Sequence, residues 1–445
     1  MTKQNEEKLP SVRRAKQERA ANDPLWWAAR CVWTDNMLNA LREGVKGGFW
    51  FSLIDKVYAP NNLSAAFAQV ASNRGNAGVD HVSIDHYAEN VTENLADLHS
   101  RLKDGTYRPH AILRVYIPKA GTKEQRPLGI PTVEDRIVQT AVLNVIEPIF
   151  DLNFSEHSYG FRHGFGAKDA LRRVDTLLKE NVTFVVDADL KSYFDSIPHE
   201  VIMSRVKERI ADGRVLELIE MFLKQPINDK GNLIYPELGT PQGAVISPLL
   251  SNLVLDPLDK IMSQGGFQMT RYADDFVIQC RSEAQAIEAL EIVKEWVSKT
   301  GLTLHPTKTH IVDYAKGGSF DFLGYHFENG KRYPRAKSMK KLKDTMRAKT
   351  RRNNRLSLDF IIPDLNVTLK GWFEYFKHSC KYTFSYLDGF IRRRLRSILR
   401  REKKKKGGTG RCYNDHKLWP NKFFHDQGLF SLMTAFEQAI NPPTR

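Results

Sequence analysis

"QMTRYADDFVIQC", residues 268–280, sets two adjacent carboxylates, Asp274 and Asp275, between two runs of strand-forming residues. Met269, Arg271 and Tyr272 before the pair and Phe276, Val277 and Ile278 after it read as short β-strands, which places the pair in a tight hairpin. Asp tolerates turn geometry, so an ordinary turn is one reading. The other is a point where two anionic groups bind divalent cations. Side chains alternate across a strand, so adjacent Asp residues need not reach the same ion. The choice therefore depends on whether a further carboxylate elsewhere completes a site.

"VVDADLKSYFDS", residues 185–196, offers Asp187, Asp189 and Asp195. Asp189 stands at the end of an apolar strand, where a side chain projects from a sheet into a cleft while its backbone stays fixed. Asp187 and Asp195 read as a cap or a local salt bridge. Two Mg²⁺ ions about 3.5–4 Å apart bind the attacking hydroxyl and the leaving oxygen of an in-line phosphoryl displacement. Mg²⁺ takes hard oxygen ligands and keeps part of its shell for substrate phosphates, so two or three Asp suffice.

The rest of the chain agrees with a polyanionic partner. At 445 residues and 41% apolar, it has enough material for two or three cores. A net charge of +15 points to nucleic acid, because neutralising phosphates releases counterions whatever the base sequence. No apolar run approaches the roughly 18 residues needed to span a bilayer, and no secretory signal opens the chain, so the expected location is cytoplasmic with no membrane partner. Cys31, Cys280, Cys380 and Cys412 lie far apart and form no C-x-x-C pair, which supports neither a disulfide framework nor a zinc site.

Several segments read as secondary structure. The polar first twenty or so residues suggest a mobile or RNA-contacting arm, and "PLWWAARCVW" a helix carrying Trp26, Trp27 and Trp33. Pro60-Asn61-Asn62 marks a break, after which residues 63–102 are helical around a loop at Gly75 and Gly78. Residues 111–118 form a strand that returns as a hairpin, and 131–150 form a helix with Ile137, Ala141, Val142 and Val145 on its apolar face. A Gly- and Pro-rich loop precedes the YADD hairpin, 284–299 is an amphipathic helix, and "LTLHPTKTHIVDY" and "FDFLGYHF" read as strands.

Beyond Gly330 the composition turns basic. Between 331 and 355, Lys331, Arg332, Arg335, Lys337, Lys340, Lys341, Lys343, Arg347, Lys349, Arg351, Arg352 and Arg355 face a single acid, Asp344. A second block, 392–406, holds Arg392, Arg393, Arg394 and further Arg and Lys with only Glu402. Blocks this one-sided repel themselves unless an anion neutralises them, so they are expected to contact nucleic acid. Trp372, Phe373, Tyr375, Phe376 and Tyr386 fall at helical spacing and read as bundle core.

With these segments in place, the order of motifs resembles a reverse transcriptase, and within that class the reverse transcriptase/maturases encoded by group II introns. Tyr272-Ala273-Asp274-Asp275 is similar to the family's Y-A-D-D box and "DLKSYFD" to its first palm motif. "GTPQGAVISPLLSNL" (239–253) resembles the P-Q-G motif and "IPKAGTKEQRPLGIP" the fingers motif. "SEHSYGFRHGFGAKDAL" resembles the adjoining motif, "LTLHPTK" the one ending in Lys308, "FDFLGYHF" the primer grip and "NRGNAGVDHVSID" the extra N-terminal motif. The match runs in order from residue 73 to 327.

The resemblance implies an α+β right-hand polymerase: fingers, a palm with an antiparallel sheet, a helical thumb and a small C-terminal region. The implied division is an N-terminal extension (1–58), fingers with the N-terminal motif (59–180), palm (181–330), maturase thumb (331–410) and DNA-binding tail (411–445). Asp189 and Asp274 are implied ligands of two Mg²⁺ ions, with Asp275 supporting. Lys119 and Arg126 are implied to hold the incoming triphosphate, and Phe194 to be the aromatic gate that excludes a 2′-hydroxyl. Gln242 would touch the nascent base pair and Gly243 permit close approach. Lys308 would protonate departing pyrophosphate, with a plain structural lysine as the competing reading. Leu323 and Gly324 would seat the primer end, and the basic residues after Gly330 would clamp the duplex and bind intron RNA.

The implied partners are an intron or other structured RNA template, a DNA or RNA primer, dNTPs and target DNA. The family's frequent C-terminal endonuclease has no counterpart before Arg445, so target-strand cutting is not expected of this chain. The resemblance gives the first 58 residues no function. Three other readings stand beside the leading one: a domesticated enzyme of defence or repair, a non-catalytic splicing factor, and an RNA-dependent RNA polymerase. Intact Asp189, Asp274 and Asp275 argue against the second, and Phe194 argues against the third.

Overall fold

The computed structural model describes residues 24–45, 47–118, 125–352, 356–403 and 413–441. It divides into two compact units, the first ending at Ile311 and the second running from Val312. The expected N-terminal arm lies outside the described residues, as does Lys119.

In the first unit, β1 (Ile112–Pro118) and β2 (Gln125–Ile130) form an antiparallel hairpin. The sheet they begin has the order β2-β1-β4-β5, with β4 (Ile227–Asp229) parallel to β1 and β5 (Asn232–Ile234) antiparallel to β4. The expected Gly- and Pro-rich loop thus contains a hairpin. Lys230 (φ 54°) and Gly231 (φ 93°) make a turn whose left-handed pair matches the strand twist, which residue composition alone disguised.

The second sheet carries the YADD segment. Its order is β6-β7-β3-β8, built from Gln268–Tyr272 (β6), Asp275–Cys280 (β7), Phe184–Asp189 (β3) and His310–Asp313 (β8), in which the unit ends. Val185, Val186 and Ala188 of β3 and Phe276, Val277 and Ile278 of β7 are buried. These strands therefore read as continuous apolar runs rather than as half-exposed alternation. Helices Val133–Asp151, Ser247–Gln264 and Glu283–Lys299 share one core with this sheet.

Three sequence expectations are corrected. The Trp-rich stretch is a set of turns with isolated i→i−3 and i→i−4 bonds instead of a continuous helix, and its side chains pin it: Trp33 is buried and its Nε1 donates to the Asn144 carbonyl at 2.9 Å, while Trp27 stacks on His163. Pro60 starts the helix Pro60–Ser72 instead of breaking one, because its missing N–H costs nothing in a first turn. Of "LTLHPTKTHIVDY" only His310–Asp313 is a strand; Leu304 makes an isolated bridge to Leu190, and the HPTK segment turns.

The second unit opens with a meander, β9 (Ser319–Phe322), β10 (Tyr325–Glu328) and β11 (Lys331–Pro334). Helices Ala336–Lys349, Leu358–Phe376 and Lys381–Glu402 follow. Trp419, Phe424, Leu429 and Leu432 of the tail belong to the same core as Leu365, Leu369 and Leu395. Phe373 and Phe376 are buried as expected, but Tyr386 is 56% exposed, its ring covered on one face by the Lys343 ammonium at 4.5 Å. Among the described residues no helix is long and apolar enough to cross a membrane.

Candidate active site

The β3–β7 pairing sets Asp189 directly opposite Asp275, and residues opposed in a ladder point to one face of the sheet. Asp274 precedes Asp275 in the turn. Burial holds the Asp274 carboxyl above the usual carboxylate range, and the negative charge of Asp189 pushes it the same way, against the opposing pull of a backbone hydrogen bond, Arg126 and Arg271. Ala273, in the same turn, has a left-handed backbone (φ 60°) that an L side chain adopts only under constraint.

That constraint comes from behind the turn. Arg271 is completely buried and forms a bidentate pair with Asp259, Nε to Oδ1 at 2.8 Å and Nη2 to Oδ2 at 2.5 Å. Its Nη1 donates to the Ala273 carbonyl at 3.0 Å and to Asn252 Oδ1 at 2.8 Å. Asn252 Nδ2 in turn donates to the Gly160 carbonyl at 2.9 Å. A Cβ at Gly160 would stand 2.2 Å from the Ala273 nitrogen, so the turn rests on a position only glycine can fill. The sequence reading gave no role to Arg271, Asp259, Asn252 or Gly160. The available signal was an arginine inside a strand-forming run, which, if buried, demands an acid partner.

Lys308 reaches the same cluster. Lys191 N–H donates to the Thr303 carbonyl at 2.8 Å and His305 N–H to the Asp189 carbonyl at 2.7 Å, fixing "LTLHPTK" along the strand end. From there Lys308 Nζ donates to Asp189 Oδ2 at 2.5 Å. Among the described residues no three His, Cys, Asp or Glu side chains are gathered into a ready-made ligand cluster. The donor chemistry nevertheless fits a divalent cation: two facing carboxylates and a third, partly buried one, raised by burial and then by like charge, are hard oxygen groups that a cation relieves. The Lys308 ammonium occupies one of those oxygens.

The residues expected to face the nucleotide meet around Gln242. Arg126 Nε donates to Gln242 Oε1 at 2.9 Å, and Gln242 Nε2 donates to Asp195 Oδ2 at 3.2 Å, giving Asp195 a partner. The Gly129 N–H donates to the Gln242 carbonyl at 2.7 Å. Gly243 (φ 113°) lies so close to β2 that a Cβ would meet the Gly129 oxygen at 2.3 Å. Thr240 N–H donates to the Phe194 carbonyl, which ties the P-Q-G loop to the segment after Asp189. The Phe194 ring packs edge-on against buried Tyr193, whose hydroxyl donates to the Ser251 carbonyl.

In the second unit Leu323 (φ 47°) and Gly324 (φ 81°) form the β9–β10 turn. Tyr375 Oη donates to the Leu323 carbonyl at 2.7 Å, and Arg335 N–H to the Gly324 carbonyl at 2.8 Å. The basic residues separate into two groups. Lys340, Lys341, Arg347, Arg351 and Arg352 are exposed, Lys340 and Arg347 flanking Asp344. Arg393 lies over the Phe390 ring, and Arg392 faces Asp388 at 3.7 Å. Arg394 instead donates to the Thr350 side chain and carbonyl, fastening two helices, and burial lowers its proton affinity. Arg396 and Arg400 are buried against the tail, on the Trp419 carbonyl and Asp415 respectively.

Comparison with known proteins matches residues 117–327 to the reverse transcriptase (RNA-dependent DNA polymerase) family and 339–418 to the group II intron maturase-specific domain. Protein YkfC of Escherichia coli (strain K12) is 32% identical over 317 residues, covering 61% of this chain and 82% of that protein. The group II intron-encoded protein LtrA of Lactococcus lactis subsp. cremoris is 34% identical over 209 residues, covering 46% of this chain and 34% of LtrA. Among solved structures, the partial Cas6-RT-Cas1–Cas2 complex aligns over 56% of this chain and 42% of that one at 24% identity, with a TM-score of 0.35.

Proposed function

This chain belongs to the family of group II intron-encoded reverse transcriptase/maturases, and we propose that it copies RNA into DNA by two-metal nucleotidyl transfer and binds intron RNA to assist its splicing and mobility. The observation that carries the polymerase reading is the opposition of Asp189 and Asp275 with Asp274 in the adjoining turn. Bound Mg²⁺ would supply Lewis-acid activation of a 3′-hydroxyl and charge stabilisation at the leaving pyrophosphate.

The chain's own residues do the rest. Asp189 and Asp274 offer the oxygen ligands, with Asp275 supporting. Arg126, with Lys119, holds the triphosphate by charge-assisted hydrogen bonds. Gln242 and Gly243 abut the nascent base pair, and Phe194 denies space to a 2′-hydroxyl. Lys308 leaves Asp189 as the site is loaded and then stands ready to give a proton to pyrophosphate. Leu323 and Gly324 seat a DNA or RNA primer end, and the exposed Lys340, Lys341, Arg347, Arg351 and Arg352 contact the template backbone. Target DNA is the acceptor in mobility, and the cytoplasm is the location this reading proposes.

A second reading, a non-catalytic RNA-binding splicing factor, is favoured by the Lys308–Asp189 contact, which already neutralises one ligand. The two are separated by Mg²⁺-dependent dNTP incorporation on an RNA template with an annealed DNA primer. Incorporation by the natural protein that Asp274→Ala abolishes is the expected result. A folded, RNA-binding natural protein with no incorporation on several primers leaves the second reading.

A further inference from the structure

Phe161 combines three features that do not ordinarily occur together. Its backbone is left-handed (φ 57°), it is 48% exposed, and its ring stands edge-on to Phe194, centroids 6.4 Å apart and planes at 81°. A bulky side chain in the left-handed region costs about 1–2 kcal/mol, which glycine would avoid. The conformation persists because both neighbours are fixed. Gly160 is wedged against the Ala273 backbone, with its carbonyl held by Asn252. Arg162 is buried, donating to Asp151 Oδ1 at 2.7 Å and to the Ser155 and Ser158 carbonyls. The chain is thus compelled to throw residue 161 outward at one spot, and that spot faces Phe194.

Tyr193 also packs edge-on against Phe194, centroids 5.6 Å apart. Phe194 therefore touches both a buried, hydrogen-bonded ring and a strained, exposed one. Without Phe161 it keeps its packing on Tyr193 and the core but loses the ring on its exposed part, and a ring that swings aside makes room for an extra hydroxyl.

We propose that Phe161 is a specificity-determining residue: it braces Phe194 so that the site takes 2′-deoxynucleoside triphosphates and rejects ribonucleoside triphosphates. Local strain at residue 161 is the cost of placing that brace, in keeping with strained residues clustering at functional sites. The inference rests on the reading of Phe194 as the sugar gate. Its logic is positional, since Phe161 acts through another side chain rather than on the sugar itself.

The test is single-nucleotide incorporation on an RNA template, with dNTP and rNTP compared as kcat/KM ratios, for the natural protein, Phe161→Gly, Phe161→Tyr, Phe194→Val and the Phe161→Gly/Phe194→Val pair. Phe161→Gly removes the ring while suiting the left-handed backbone, so folding is retained, which thermal unfolding checks. Loss of one edge-to-face contact predicts a fall in dNTP-over-rNTP discrimination of about 2- to 10-fold, expressed mainly as a lower rNTP KM, with Phe161→Tyr close to the natural ratio. The paired variant should discriminate no worse than Phe194→Val alone, because the brace has nothing left to hold. If Phe194→Val lowers discrimination and Phe161→Gly does not, or if Phe161→Gly lowers both nucleotides in proportion, the brace is wrong. If Phe194→Val leaves discrimination intact, the gate reading fails and the inference with it.

Discussion

Replacing Arg271 by methionine tests whether the turn that carries Asp274 is held from behind. The guanidinium is wholly buried and its partner Asp259 is 3% exposed, so the substitution strands a carboxylate inside the first unit. Breaking a buried pair from one side costs about 3–5 kcal/mol. The donors lost to Asn252 and to the Ala273 carbonyl fall within that figure rather than adding to it, since all belong to one network. Against a total of about 5–15 kcal/mol for a folded domain, the variant stays folded with much of its margin gone. Amide exchange of β6 and β7 is the suitable assay, because it reports on the first unit however the second unfolds.

Pairing Arg271→Met with Asp259→Leu separates stability from positioning. Replacing both partners by apolar groups is often neutral, so the double variant should regain exchange protection to within about 1–2 kcal/mol of the natural chain. Incorporation should not recover. Ala273 keeps its left-handed backbone only with its carbonyl held, and a displacement of about 1 Å at a reacting centre costs on the order of 100-fold. A double variant that recovers both protection and activity would reduce Arg271 to a packing residue. A single variant as well protected as the natural chain would refute the energetic argument.

Asp274→Asn should abolish incorporation yet raise the metal-free melting temperature near neutral pH. The folded carboxyl titrates above its unfolded value, so the native state binds more protons than the unfolded one as pH rises between the two, and stability is lost across that window. The advantage of the variant should therefore vanish below about pH 4, where both states are protonated; a variant no more stable at pH 7 than the natural chain contradicts the burial and like-charge account. Lys341→Ala and Arg396→Met should part company: the first lowers the salt dependence of RNA binding by about one unit of slope without altering unfolding. The second destabilises the second unit by about 1.5–3 kcal/mol through its lost bonds to Trp419 and Asn421. Anisotropy titrations over a salt series and urea unfolding read the two effects, and an unstable Lys341 variant or a stable Arg396 variant contradicts the division.

The acidic constellation was legible because it is local in sequence. Asp274 ends a turn and Asp275 opens the strand that follows it, Asp189 ends an apolar run, and a ladder register is enough to oppose Asp189 and Asp275. The supports were not, because each is specified by a partner far along the chain. Asp259 is twelve residues from Arg271 and Gly160 ninety-two from Asn252, and nothing in local pattern couples them. The Trp-rich stretch misled for a related reason: its backbone follows what Trp27 and Trp33 dock on, His163 and Asn144, rather than its own propensity.

The basic region shows why a charge count cannot stand in for a surface. The block from 392 reads as one basic run, yet a helix spreads adjacent residues about 100° apart, so the four arginines and one leucine of 392–396 address several environments at once. Leu387, Ile391, Leu395 and Leu399 define the stripe turned to the core. Arg392, Arg396 and Arg400 each follow a stripe residue by one position, but the tail covers only Arg396 and Arg400, while Arg392, beside Asp388, and Arg393 keep partial exposure. A buried arginine is tolerated only where acceptors have been arranged for it, here the Trp419 carbonyl, Asn421 and Asp415. The tail is thereby fastened to the helical core by charge as well as by Trp419 and Phe424. Of the net positive charge in this block, only the part without such internal acceptors remains for RNA.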